Sequence, residues 1–71
     1  MNQALLIGKL IDVSGLIATI ETEDAEVRVR LWQGVAEVSL EKIGMPIAIK
    51  GHITEDELVA ERVSFIEVKD D

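Results

Sequence analysis

The sequence predicts an all-β domain, and three observations carry this prediction. Apolar and polar residues alternate over several short segments, which is typical of strands with one buried face. The chain is 48% hydrophobic but contains one Trp, one Phe and no Tyr, so its apolar residues are mostly Ile, Val and Leu, which favour half-buried strands. Glycines and acidic clusters separate the segments, as expected of short connections between strands.

The first three strands follow one another closely. Residues 4–13 form a long apolar strand that is interrupted by Gly8, where we expect a kink or a bulge. Ser14 and Gly15 make a tight turn into a second strand at residues 16–22. The acidic segment 21–26, ETEDAE, then leads into a third strand at residues 26–32. Short connections of this kind predict a meander.

Alternation in the third strand places two kinds of side chain on opposite faces. Val27, Val29 and Leu31 point one way. If they face the core, the outer face carries a row of charged side chains and an indole, namely Glu26, Arg28, Arg30 and Trp32. Such a row suits a platform for single-stranded nucleic acid, a contact surface for another protein, or merely a solvated face.

The apolar period changes after Trp32 and predicts one short helix from Gly34 to Lys42, with Gly44 and Pro46 as stop signals. Alternation returns at residues 47–53 and predicts a fourth strand. The segment 54–57, TEDE, turns the chain into a fifth strand at residues 58–68. The alternation of this last strand is imperfect, because Glu61 shares the phase of its apolar residues, and this indicates a bulge or a sheet edge.

Three strands, a helix and two further strands are the order of a five-stranded OB-fold barrel. A ferredoxin-like fold would need a helix between the first two strands, where a two-residue turn leaves no room. An SH3-like barrel would not need a two-turn helix after the third strand. We therefore expect the 71 residues to form a single all-β OB-fold domain with one short helix between strands 3 and 4.

Composition argues against several functional classes. The chain has no cysteine and one histidine, His52, which excludes a disulfide framework and a zinc site. No nucleophile has a recognisable partner and no glycine loop could cradle a phosphate, so we expect neither catalysis nor a cofactor. The acidic turns lack the spaced ligands of a calcium loop. No basic segment precedes an apolar one at the N-terminus and no apolar run approaches the roughly 20 residues of a membrane span, which predicts a soluble cytoplasmic protein.

Four segments in order resemble the bacterial single-stranded DNA-binding proteins and, more distantly, replication protein A modules. LLIGKL is similar to the opening strand of that family, VRLWQGVAE to its third strand and helix, IGMPIAIKGHI to its turn into strand four, and LVAERVSFI to its closing strand. The resemblance implies a strand-binding OB-fold protein in which Trp32 stacks on a base and Arg28 contacts the strand. Two features depart from the family. Glu26 replaces a common stacking aromatic, and TEDE replaces a long loop.

The predicted binding residues combine this resemblance with the chemistry of the side chains. Guanidiniums pair with phosphates and stack on bases, and exposed lysines could extend the patch if their strands present the same side. We therefore expect single-stranded DNA to contact Arg28, Arg30 and Trp32, with weaker contributions from Lys50 and Arg62. Lys9 and His52 could extend this set, whereas the phase of Phe65 places it in the core.

Charge limits the expected affinity. The net charge is −7, and seven carboxylates lie in the turns at 21–26 and 54–57, where they would repel phosphates. We therefore expect binding that is about micromolar and strongly dependent on salt, and that gains strength when a homo-oligomer engages one strand several times. A domain of this size buries only about 60% of its unfolded surface, which also favours an oligomer.

A second hypothesis is an OB barrel used for protein association, as an accessory subunit without a nucleic-acid role. In that case Glu26, Arg28 and Arg30 form cross-strand ion pairs, and Trp32 packs under the helix or against a partner subunit. The acidic balance favours this hypothesis, and the residue match favours strand binding. The short hairpin turns are also compatible with a simplified or engineered barrel.

Overall fold

The computed structural model describes residues 2–32 and 38–66 and consists of five strands. The strands are β1 (Asn2–Ser14), β2 (Ile17–Glu21), β3 (Glu26–Leu31), β4 (Pro46–Thr54) and β5 (Glu57–Phe65). The predicted all-β class is confirmed. Within these two ranges, no helix has the length and apolar character needed to cross a bilayer.

The strands close into a barrel in the order β1-β2-β3-β5-β4. β1 closes the ring because its first part, residues 2–9, pairs with β4 and its second part, residues 9–14, pairs with β2. All neighbouring pairs are antiparallel except β3 and β5, which run parallel. One ring of five strands agrees with the five-stranded barrel that the sequence predicts.

The bulge predicted in β1 lies further along the strand than Gly8. The register of β1 against β2 shifts between Leu10 and Asp12, which makes Ile11 the extra residue. Gly8 pairs in regular register with β4, and a Cβ atom at this position would collide with the carbonyl oxygen of Glu21. Gly8 is therefore required for the close approach of β1 to β2 rather than for a bulge.

A second bulge confirms the irregularity predicted in β5. The register of β5 against β4 shifts beside Gly51, so that Glu61 is the extra residue between Ala60 and Arg62. Ala60 is buried and Glu61 is exposed. Gly51 permits this geometry, because a Cβ atom there would collide with the carbonyl oxygen of Val59.

The core is aliphatic. None of the described polar or charged side chains is buried in it, and its largest fully buried side chains are Leu10, Ile20, Val29, Ile47 and Ile49. Strand β3 also buries Leu31, as its alternation predicts, and Phe65 packs against the same cluster while remaining partly exposed.

The helix predicted from Gly34 to Lys42 is wrong where it can be compared. Residues 33–37 lie outside the described ranges. At the described end, Ser39 has extended backbone angles and only Leu40–Lys42 form a short 3-10 turn. Val38, the first described residue of this segment, is buried in the core cluster without belonging to a helix.

We expect Gly51→Ala to lower the free energy of unfolding by about 2 kcal/mol, because the added methyl group overpacks the bulge against a backbone carbonyl. Urea unfolding followed by far-UV circular dichroism measures the change. Ser64→Ala, at an exposed position of the neighbouring strand β5, is the control and should change stability by less than about 0.5 kcal/mol. Equal stability of the two variants would contradict the close contact at Gly51.

Candidate functional site

The outer face of β3 carries the row of side chains that the sequence predicts. Glu26, Arg28 and Arg30 are exposed along the strand. Trp32 follows directly after the strand and is 63% exposed. In the single chain, Trp32 is thus a surface aromatic.

Arg28 lies at the centre of a shallow groove on this face. One part of the groove crosses the ends of three strands and is lined by Asp12, Ser14, Ile17, Thr19, Glu26 and Arg28. A second part shares Ile17 and Arg28 and continues to Arg30, Asp56 and Glu57. The groove therefore contains two guanidiniums and four carboxylates, and its charge is mixed rather than basic.

The two arginines differ in their partners. Arg30 donates from Nε to Oε1 of Glu57, and both side chains are partly exposed. Glu57 reaches this position because the turn before it is closed by Glu55 and Asp56 with φ of 48° and 65°, the left-handed conformation of a tight hairpin. Among the residues that the structure describes, no ion pair forms with Arg28.

Arg30 forms an ion pair across two strands, as the association hypothesis expects for this row of side chains. Its partner comes from the start of β5, not from Glu26 on the same strand. Exposed pairs of this kind contribute only about 0 to 1 kcal/mol, so an incoming phosphate can compete for the guanidinium. Arg28 is therefore the cation in the groove that can bind a phosphate directly. Arg30 can bind one after its ion pair with Glu57 is broken.

A separate depression lies beside Trp32. Its lining, within the described ranges, consists of Trp32, His52 and Glu61, and its volume is about 390 Å³. Glu61 and His52 lie on the adjacent strands β5 and β4, and Trp32 directly follows β3, the other neighbour of β5. The parallel register pairs Leu31 with Ala60, so Trp32 and the bulged Glu61 are the next residues along each strand.

Lys50 and Arg62 lie further around the barrel. They are direct partners across β4 and β5, and a shallow dent holds both of them together with Glu61. The structure thus places Trp32 directly after the strand that carries Arg28 and Arg30. Lys50 and Arg62 line a different depression, and Glu61 lines both that depression and the one beside Trp32. Lys9 lies near Glu21, at 3.9 Å between Nζ and Oε1, and lines none of these depressions.

His52 is less exposed than the sequence suggests. Its side chain is 25% exposed, and its Nδ1 atom lies 3.3 Å from Oε2 of Glu61. These two atoms do not form a hydrogen bond, and in the described part of the chain Nδ1 has no hydrogen-bond partner. The Glu61 carboxylate nevertheless lies beside the His52 ring on β4.

Glu61 is the site residue that sequence reasoning missed. The sequence does contain the relevant signal, because Glu61 interrupts the alternation of its strand. That signal predicts a bulge but not the direction in which the side chain points, which depends on the register of β4 and β5.

Comparison with family models, with curated proteins and with solved structures gave no match. Over residues 2–32 and 38–66, no group of three or more acidic or histidine side chains is arranged to hold a metal ion. A functional inference must therefore come from the outer face of the barrel itself.

The exposure of Trp32 predicts that acrylamide quenches its emission in the folded protein nearly as well as in the urea-unfolded chain. Strand binding requires an open ring, so this hypothesis also predicts that the emission is unchanged on dilution. Stern–Volmer titrations at several protein concentrations measure both properties. Weak quenching that becomes stronger on dilution would instead place Trp32 in an interface between copies.

Proposed function

We propose that this barrel binds single-stranded nucleic acid, with DNA as the first substrate to test, through the outer face of β3. The observation that carries the proposal is the 63% exposure of Trp32 at the end of a strand that also presents Arg28 and Arg30. Base stacking on an aromatic contributes about 1 to 3 kcal/mol per base, and guanidiniums bind the phosphates beside it. The resemblance of VRLWQGVAE to the third strand of single-stranded DNA-binding proteins supports the same function.

Each residue has a distinct role in this proposal. Trp32 is the stacking platform, and Arg28 contacts a phosphate in the groove. Arg30 joins it after exchanging Glu57 for a phosphate. Lys50 and Arg62 guide the strand further around the barrel, past the depression beside Trp32. The proposed function is binding alone, without a catalytic step or a cofactor.

Affinity in this proposal is limited by charge. Four carboxylates line the groove with the two arginines, and the whole chain carries a net charge of −7. Carboxylates within a Debye length of about 8 Å repel phosphates at physiological salt. We therefore expect dissociation constants that are about micromolar at low salt and that rise steeply with ionic strength.

A second candidate function is self-association, and a separate surface favours it. Leu5 and Ile7 lie on the outer face of β1 and are 67% and 58% exposed. No described strand pairs with the second edge of β1 over residues 2–8, which leaves backbone groups and aliphatic side chains together on the surface. A second copy that covers this surface would produce a homo-oligomer, either as an association module or to engage one strand at several sites.

The strand-binding proposal predicts that oligo-dT quenches Trp32 emission saturably and that the affinity falls as salt is raised. Trp32→Ala and Arg28→Glu should each weaken binding about tenfold or more, measured by the anisotropy of labelled DNA. Arg28→Glu should also reduce the slope of log affinity against log salt by about one, because one phosphate contact is lost.

Lys42→Glu is the matched control for Arg28→Glu, since it makes the same change of charge in the 3-10 turn, where Lys42 lies over the ring of Phe65. Its effect on binding should be small. Absence of binding at low salt and high micromolar protein would exclude strand binding, and equal losses in Arg28→Glu and Lys42→Glu would exclude the groove as its site.

The self-association proposal predicts that Leu5→Glu shifts the protein toward the monomer in sedimentation velocity, because charge at the centre of the aliphatic surface opposes its burial. Leu40→Glu is the control, as Leu40 is 68% exposed but belongs to the 3-10 turn and not to the outer face of β1. A parent protein that is monomeric at all concentrations would exclude this function.

A further inference from the structure

We propose that the depression beside Trp32 is a base-recognition pocket that prefers guanine, with Glu61 as the residue that selects it. The inference rests on the proposed strand binding and adds a ligand preference to it. In this pocket, Trp32 stacks on the face of the base while the Glu61 carboxylate accepts hydrogen bonds from its edge.

The register of the barrel places the two residues together. Leu31 of β3 pairs with Ala60 of β5 in parallel, so Trp32 and Glu61 extend the same row by one residue on each strand. Glu61 is the extra residue of the bulge in β5 and is exposed directly after the buried Ala60. Both residues line one depression of about 390 Å³, a volume in the range of small-molecule sites.

The two side chains are available to a ligand. Trp32 is 63% exposed and the side chain of Glu61 is 55% exposed. One carboxylate oxygen, Oε2, lies 3.3 Å from Nδ1 of His52, and Oε1 has no hydrogen bond within the described ranges. The carboxylate thus has hydrogen-bonding capacity left for a ligand.

The chemistry of an ionised carboxylate selects among the bases. A carboxylate only accepts hydrogen bonds, so it requires donors on the base. Guanine presents two adjacent donors on its Watson–Crick edge, N1–H and the N2 amino group, which match the two carboxylate oxygens. Adenine and cytosine each place a ring-nitrogen acceptor beside their amino group, and thymine has one donor between two carbonyls. These acceptors would face the carboxylate and be repelled by it.

The recognition mode also explains why a carboxylate is compatible with binding of a polyanion. A carboxylate that lies beside the phosphate backbone only weakens binding. A carboxylate beside a stacking ring can instead discriminate between the bases of an unstacked strand. A good bidentate contact discriminates by about fivefold or more, and the exposure of this pocket places the expected preference near that lower value.

The test uses labelled oligo-dT strands of about eight nucleotides, within the site size of an OB fold, that carry a central guanine, adenine, cytosine or thymine. Anisotropy at low salt gives the four affinities without relying on quenching, which differs between bases. We expect the strand with guanine to bind about fivefold more tightly than the other three.

Glu61→Gln should remove the preference, because the amide turns one acceptor into a donor, while binding of plain oligo-dT is retained or strengthened. Glu23→Gln removes the same charge from the exposed turn between β2 and β3 and should keep the preference. Glu61→Ala provides a second variant, and circular dichroism checks that each protein is folded.

The outcomes separate this inference from the proposed function. Equal binding of all four strands would overturn the guanine pocket and leave strand binding standing. A preference for guanine that persists in Glu61→Gln would overturn the role of Glu61. Failure to bind any strand would overturn strand binding and the guanine pocket together.

Discussion

The structure depends on the sharing of β1 between two neighbours. In a closed barrel every strand pairs with two neighbours, and the long β1 does so in succession, first with β4 and then with β2. Closure brings backbones into contact at Gly8 and Gly51, where no side chain would fit. Without a disulfide, the small aliphatic core enclosed by this ring is the main source of stability.

The surface chemistry follows from the same closure. Because β5 lies between β3 and β4, side chains that are far apart in sequence become neighbours on the outer face, and the bulge in β5 determines which of them point outward. Trp32 thus meets Glu61 and His52, while Arg28 lies in a groove with the ends of β1 and β2. The proposed platform and its proposed base pocket are both consequences of register.

Electrostatics and stacking act in opposite directions at this surface. The acidic turns and the groove carboxylates disfavour a phosphate backbone, whereas an exposed indole and an exposed guanidinium favour an unstacked strand. A surface of this kind favours weak binding in which contacts with the bases contribute more to the affinity than the electrostatic field of the whole protein does. The aliphatic surface around Leu5 and Ile7 offers a way to multiply such weak contacts through a second copy.

The sequence by itself determined the five strands, the two faces of β3 and the presence of a bulge in β5, because each depends on local alternation. It did not determine the extent of the helix after Trp32, because a helical period can arise from residues that pack separately, and Val38 is buried in the core outside any helix. Nor did it determine the position of the β1 bulge, the pairing of Arg30 with Glu57 or the neighbourhood of Trp32 and Glu61. Those features were decided by tertiary structure, because they depend on pairing between strands that are distant in the chain.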